Sequence, residues 1–349
     1  MSALSFSSWF CVPDQGMIDF EILNRASAFL VRASGTGSRS AKVSFREFSQ
    51  RAPFPAPKVH LVTASHVVAP WRWPKYYPEE WLQQVCEKHA LYTAELRHAD
   101  GTFATQSELK PISYHHATRD LAALHFENED EVLELLDEVG VDVLQLLPAH
   151  LHLPQVGQQL EFHGHEVRSQ GPPSGQDADS RTSVPSICRG VLQGRTARQV
   201  FARTVPVLEQ GMCGGPVLMR AAAQAAAAAG GEPTDGSSIS GSDARGGGEQ
   251  VYCTGVLEGI VPRDHSEAEL QALAIFVESH EIRAFLQDIE EGAVVPLIGG
   301  HAIAAINADK DEAKMDFERI ISGDAGPSSE PSRNFGGSNF PTSGRPRAP

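Results

Sequence analysis

Apolar residues along this chain fall into short runs broken by turn formers, and few stretches carry the longer 3.6-residue period of a helix. Phe29-Leu30-Val31 leads into Ser34-Gly35-Thr36-Gly37-Ser38, a strand running into a turn. Val59 to Thr63 is a β-rich run that enters Ala64-Ser65-His66-Val67-Val68. Leu91 to Arg97, Ala99-Asp100-Gly101-Thr102 and then Phe103 predict a hairpin with an Asp-Gly turn. Asp120 to Phe126 predicts a further buried strand. A second series of strands is expected near Leu160–His163, Ser186–Leu192, Val200–Thr204, Pro216–Leu218 and Tyr252–Val261, with Ala274–Val277 as the last.

Helical spacing is confined to a few places. Pro78 to His89 reads as a short helix inside a tryptophan-rich insert over 71–90. Residues 129–147 place Val132, Leu133, Leu135, Leu136, Val139, Val143, Leu144 and Leu146 among acids, which predicts a packed surface helix. Ser279 is the expected N-cap of a helix that turns Ile282, Phe285, Leu286 and Ile289 to the core. Short strands punctuated by turns indicate an all-β barrel architecture with added helices, not βαβ units. The expected organisation is an N-terminal segment over 1–19, a first β unit over 20–128 and a helical linker over 129–150. A second β unit over 151–290, a small extension over 291–322 and a disordered tail over 323–349 complete it. Residues 168–184 read as a loop, and the Ala-rich then Gly/Ser-rich insert over 221–249 reads as disordered.

Composition narrows the function classes. The 349 residues hold 29 Lys and Arg against 44 Asp and Glu, a formal charge of −15, which argues against a nucleic-acid platform. The five cysteines stand at 11, 86, 188, 213 and 253 with no C-x-x-C pair, so neither a disulfide framework nor a zinc site is indicated. No window approaches the apolar length of a membrane span. The first basic residue is Arg25, whereas secretory and mitochondrial leaders need early positive charge, so a cytoplasmic location is expected.

The sharpest chemistry sits in Glu209-Gln210-Gly211-Met212-Cys213-Gly214-Gly215-Pro216-Val217. Glycines beside a nucleophile let the backbone turn sharply and aim successive N–H groups at one point. Those of Gly211 and Cys213 would then hold an oxyanion. Alone, the segment also fits a Gly-rich hairpin with a buried cysteine. A histidine after a strand (His66) and an acid before one (Asp120) are likewise unremarkable singly. In chain order they run His66, Asp120, Cys213, separated by 54 and 93 residues. That is the order of the chymotrypsin-type triad.

The local motifs agree with that order. Thr63-Ala64-Ser65-His66-Val67, Arg119-Asp120-Leu121-Ala122-Ala123-Leu124 and Gly211 to Val217 resemble the signatures of chymotrypsin-like peptidases, with cysteine in place of the nucleophilic serine. The hairpin Glu95 to Thr102 and the entry Leu153 to Gly157 resemble HtrA-type members, and the resemblance covers roughly residues 20–290. It implies a chymotrypsin-like double six-stranded β-barrel with a C-terminal helix. It also implies an endopeptidase with His66 as base, Asp120 orienting it and Cys213 as nucleophile. A polypeptide substrate or peptide ligand is the implied partner, and no cofactor or metal is required. By the same resemblance, Leu257, Glu258 and Gly259 pair with the peptide, and Val207 lines the primary specificity pocket. An apolar residue at that point implies a small or apolar side chain before the cleaved bond.

Departures from the pattern keep a second reading open. Met212 stands where digestive trypsins carry aspartate, and the inserts are atypical. These favour a catalytically inactive pseudopeptidase that binds peptides or scaffolds a complex, whereas the retention of both His66 and Asp120 favours activity. His115-His116 and His163-Gly164-His165 lack matching further ligands for a metal and are expected at exposed strand ends.

Overall fold

The computed structural model describes residues 2–34, 57–98, 100–169, 181–196, 199–222 and 249–298. The disorder expected over 323–349, the core of the 168–184 loop and most of the 221–249 insert and the 291–322 extension lie outside these residues; Ala221, Ala222 and Glu249, expected as disordered, are strand residues.

Two β units share the chain. The first contains β1 (Leu4–Phe10), β2 (Glu21–Arg32), β3 (Val59–Thr63), β4 (Ala90–Arg97), β5 (Phe103–His115) and β6 (Ala122–Phe126). They pair in the order β1-β4-β5-β6-β3-β2, and an antiparallel β1–β2 ladder closes the sheet into a ring. Inside it pack Leu4, Phe6, Leu30, Leu61, Tyr92, Leu96, Leu124 and Phe126. The predicted N-terminal segment is therefore a structural strand: Leu4 and Phe6 are fully buried because β1 fills the gap between β2 and β4. β7 (Val143–Leu144) adds to β2 in parallel.

The second unit is a closed barrel of β8 (Gln159–Ser169), β9 (Arg181–Arg195), β10 (Val200–Val205), β11 (Pro216–Ala222), β12 (Glu249–Ile260) and β13 (Ala274–Glu278). Its core holds Leu160, Phe162, Leu192, Met212, Val217, Leu257 and Phe276. β8 and β9 run well into the stretch expected as a 168–184 loop, since their ladder continues to Ser169↔Arg181. β14 (Leu297–Ile298) returns to the first unit and pairs with β5.

Helices are few. α1 (Ser65–Val68) is a single turn after β3. α2 (Glu129–Val139) begins with three acids that complement its N-terminal dipole and ends where Gly140 turns left-handed at φ 69°. That stop explains why helical spacing read on to 147 is not helical to its end: Val143 and Leu144 join β2, and Leu146 bridges Cys253. The helix expected over Pro78–His89 is instead two separate 3-10 turns, Glu80–Gln84 and Glu87–His89, split by extended Val85 and Cys86.

α3 (Ser279–Glu290) closes the domain. Its N-cap is Glu278, and Ser279 is already the first helical residue and buried. Ile282, Phe285, Leu286 and Ile289 pack with Phe29, Val62 and Leu121 of the first unit and Leu218, Val256 and Val277 of the second. Each such buried side chain contributes about 1.5–3 kcal/mol. This shared core fixes the two units against each other. None of the described helices is long and apolar enough to cross a membrane.

Candidate functional site

His66, Asp120 and Cys213 meet at the junction of the two units. The β3–β6 register, with Thr63 opposite Ala122, sets the exit of β3 beside the entry of β6. Ala64 and Ser65 on one side and Leu121 on the other then bring His66 to Asp120. The His66 backbone N–H donates to Asp120 Oδ1 at 2.8 Å, and ring Nδ1 lies 2.5 Å from Oδ2. The two-point grip fixes the imidazole's rotation and makes Nδ1 the donor, leaving Nε2 for another partner. Both residues are buried, His66 at 8% and Asp120 at 3% exposure.

Cys213 stands beside the imidazole. It is half-buried, packs against the core of the first unit and favours the protonated form of His66. Burial alone would drive the imidazole to neutrality, but the Asp120 charge, the hydrogen bond with Asp120 and the neighbouring Cys213 outweigh it. The His66 pKa is raised well above 6.5.

The turn that carries Cys213 is held from three sides. Ser27 N–H donates to the Cys213 carbonyl at 2.9 Å, and Ser27 Oγ donates to the Gly211 carbonyl at 2.8 Å while accepting from His165 N–H. Gly214 N–H donates to Leu257 O at 2.8 Å, and Leu257 N–H donates to Gly215 O at 2.9 Å. Gly211 and Gly214 have φ of 99° and 82°. A Cβ on Gly214 would collide with Thr63 Oγ1 and Ser27 O, so only glycine lets the turn seat against the first unit. Among the described residues, the N–H groups of Gly211 and Cys213 have no acceptor. Two free donors beside a thiol are what an oxyanion needs.

The remaining expected site residues divide. Leu257 is 1% exposed with its side chain in the barrel core, so only its backbone faces the turn. Glu258 and Gly259 are half-buried, and the space a Gly259 Cβ would occupy is open. Beyond Val256, β12 keeps β13 on one edge and has no strand on the other among the described residues. Val207 is half-buried on the segment between β10 and the turn. Met212 is a core residue at 0% exposure, so its side chain packs the barrel and takes no part at the junction.

Three features escaped the sequence. Ser27 sits inside an ordinary strand, and nothing local marks it. The insert after α1 sets Trp73, Tyr76 and Tyr77 around the imidazole, with ring centroids 6.3, 6.0 and 6.2 Å from that of His66. Tyr77 Oη also accepts from Asn24 Nδ2 at 3.1 Å. The Glu258 carboxyl is the third. Burial and the Asp120 charge push it up to about 7, against a hydrogen bond from Gln199 and the charges of His66 and Arg119. Of the histidines expected at exposed strand ends, His115 does end β5 and is half-buried with His116, whereas the other pair lies inside a strand. His163 and His165 lie within β8, where His165 is 1% exposed, and His115 is hydrogen-bonded to Ser65 and Ser113. Among the described residues no group of three or more His, Cys, Asp or Glu is arranged to hold a metal. No family model and no curated protein sequence matches the chain.

Proposed function

We propose that the chain is an endopeptidase of the chymotrypsin-like double-barrel type whose nucleophile is Cys213. The observation that carries this reading is the His66 imidazole gripped by Asp120 through Nδ1, with Cys213 beside it. The thiolate attacks the carbonyl carbon of the scissile bond, and the Gly211 and Cys213 N–H groups receive the oxyanion. Imidazolium Nε2–H protonates the departing amine, leaving a thioester on Cys213. His66 then takes a proton from water, which attacks the thioester and releases the carboxylic acid and the thiolate. The open edge of β12 at Glu258 and Gly259 suits an extended peptide added as a strand. The half-buried apolar Val207 supports a small or apolar residue before the cleaved bond. A preference for Arg or Lys there in a peptide library overturns that part.

The test is selective alkylation of the purified chain with a low dose of iodoacetamide from pH 5 to 9, read by mass spectrometry. Cys213 should react at neutral pH faster than Cys11 and Cys86, and His66→Ala should suppress the reaction. A Cys213 rate indistinguishable from those thiols and indifferent to His66 removes the catalytic reading. The junction would then be studied as a peptide-binding surface.

A further inference from the structure

The insert that follows α1 turns back over the imidazole by a short local device. In Trp73-Pro74-Lys75-Tyr76-Tyr77-Pro78, Pro74 takes the second position of a β-turn, and Pro78 biases Tyr77 away from helical backbone. The N–H groups of Tyr76 and Tyr77 both donate to the Trp73 carbonyl, at 2.9 and 3.0 Å. One carbonyl therefore holds two successive aromatic residues. Tyr77 is tied to β2 by the bond its Oη accepts from Asn24 Nδ2, and it packs against the cluster of Phe10, Leu23, Leu82 and Val85. Trp73 stands edge-on to Tyr76, with centroids 5.7 Å apart.

Both tyrosine rings come to rest near-parallel to the His66 imidazole. The planes differ by 15° for Tyr76 and 30° for Tyr77, and the centroids lie at 6.0 and 6.2 Å. A near-parallel ring presents its face, which carries the negative side of the aromatic quadrupole. A cation gains from such a face at about 6 Å, and gains more where water is excluded. His66 is only 8% exposed, so aromatic faces stand where an imidazolium in solution would have water. Tyr76 remains 43% exposed, so burial in a core does not account for its place beside the imidazole. The other titratable groups around His66 are Asp120 at the entry to β6, Cys213 on its turn and Glu258 on β12.

We propose that Tyr76 and Tyr77 are positioning residues whose ring faces hold the His66 imidazole in its protonated form against Asp120. Asp120 grips one edge of the imidazole through Nδ1, and the tyrosines add a cation–π attraction to the charge so held. The consequence for Cys213 rests on the peptidase reading, whereas the effect on His66 does not.

The test separates the two. In the full chain carrying Cys213→Ala, with labelled imidazoles, the resonance that His66→Ala removes is followed by NMR from pH 5 to 9. Tyr76→Leu should lower the imidazole's proton affinity by about threefold, and Tyr76→Leu with Tyr77→Leu by about tenfold. Tyr76→Phe keeps the ring face and should titrate as the parent does. Where leucine at 77 prevents folding, the exposed Tyr76 carries the test alone. A His66 titration unmoved by Tyr76→Leu, or moved as far by Tyr76→Phe, overturns the proposal. Alkylation of Cys213 that ignores His66 would defeat the peptidase reading alone, because the His66 titration needs no reactive thiol.

Discussion

Replacing Ser27 by alanine should loosen the turn that carries Cys213 while leaving His66, Asp120 and Cys213 themselves unchanged. Ser27 is 0% exposed, and its hydroxyl makes two bonds between the units. It donates to the Gly211 carbonyl at 2.8 Å and accepts from the His165 N–H at 2.8 Å. Alanine strands both backbone groups. At about 1–3 kcal/mol for each orphaned buried group, and with partial relaxation, the loss of unfolding free energy should be about 2–4 kcal/mol. Urea unfolding followed by fluorescence measures it. Ser5 is the internal control, because its hydroxyl is equally buried and has no hydrogen-bond partner among the described residues. Ser5→Ala should be neutral or slightly stabilising in the same assay. Alkylation supplies the second readout: Ser27→Ala should slow Cys213 selectively, because the carbonyl of Gly211 and its neighbouring N–H move together. Equal behaviour of the two serine variants would refute the view that Ser27 holds the turn.

Other perturbations follow from the same geometry. Gly214→Ala must place a side chain at φ 82° against Thr63 Oγ1 and Ser27 O. It should cost about 3 kcal/mol or more, measured by thermal melting, and abolish Cys213 selectivity. Asp120→Asn removes the charge that holds the imidazole protonated and should lower the neutral-pH alkylation rate of Cys213 by about tenfold or more. Stability should fall steeply in acid. Burial depresses His115 and His125 to about 3 and His165 to about 4, so below pH 6.5 the unfolded chain binds protons that the folded chain refuses. Three such groups give a slope approaching about 4 kcal/mol per pH unit between pH 6 and 4. His66 acts with the opposite sign, its contribution being full below pH 6.5 and lost as pH rises through its raised pKa. A flat denaturation midpoint from pH 7 to 5 would contradict the acid slope.

What the sequence revealed of this molecule was what strands and turns encode locally. The Asp-Gly hairpin between β4 and β5, β13 leading into α3, and the glycines of the Cys213 turn are short-range patterns, and each could be read from a few residues. The meeting of His66, Asp120 and Cys213 could be anticipated because their order and neighbours fit one known arrangement. The features that hold them together were opaque for a physical reason: they are made by register and by contacts between the units. Ser27 is one polar position in a strand, and its role appears only once β2 lies against the turn 184 residues away. Glu258 alternates normally in β12, and only the slip against β13 leaves it without a partner in that ladder. The insert's tyrosines followed no helical period because the segment is not a helix there. It sets rings beside the imidazole, which asks for position and not periodicity. Chemistry at such a junction is therefore carried by residues with strong local signatures, while its tuning is carried by residues whose significance arises only when the two units close on each other.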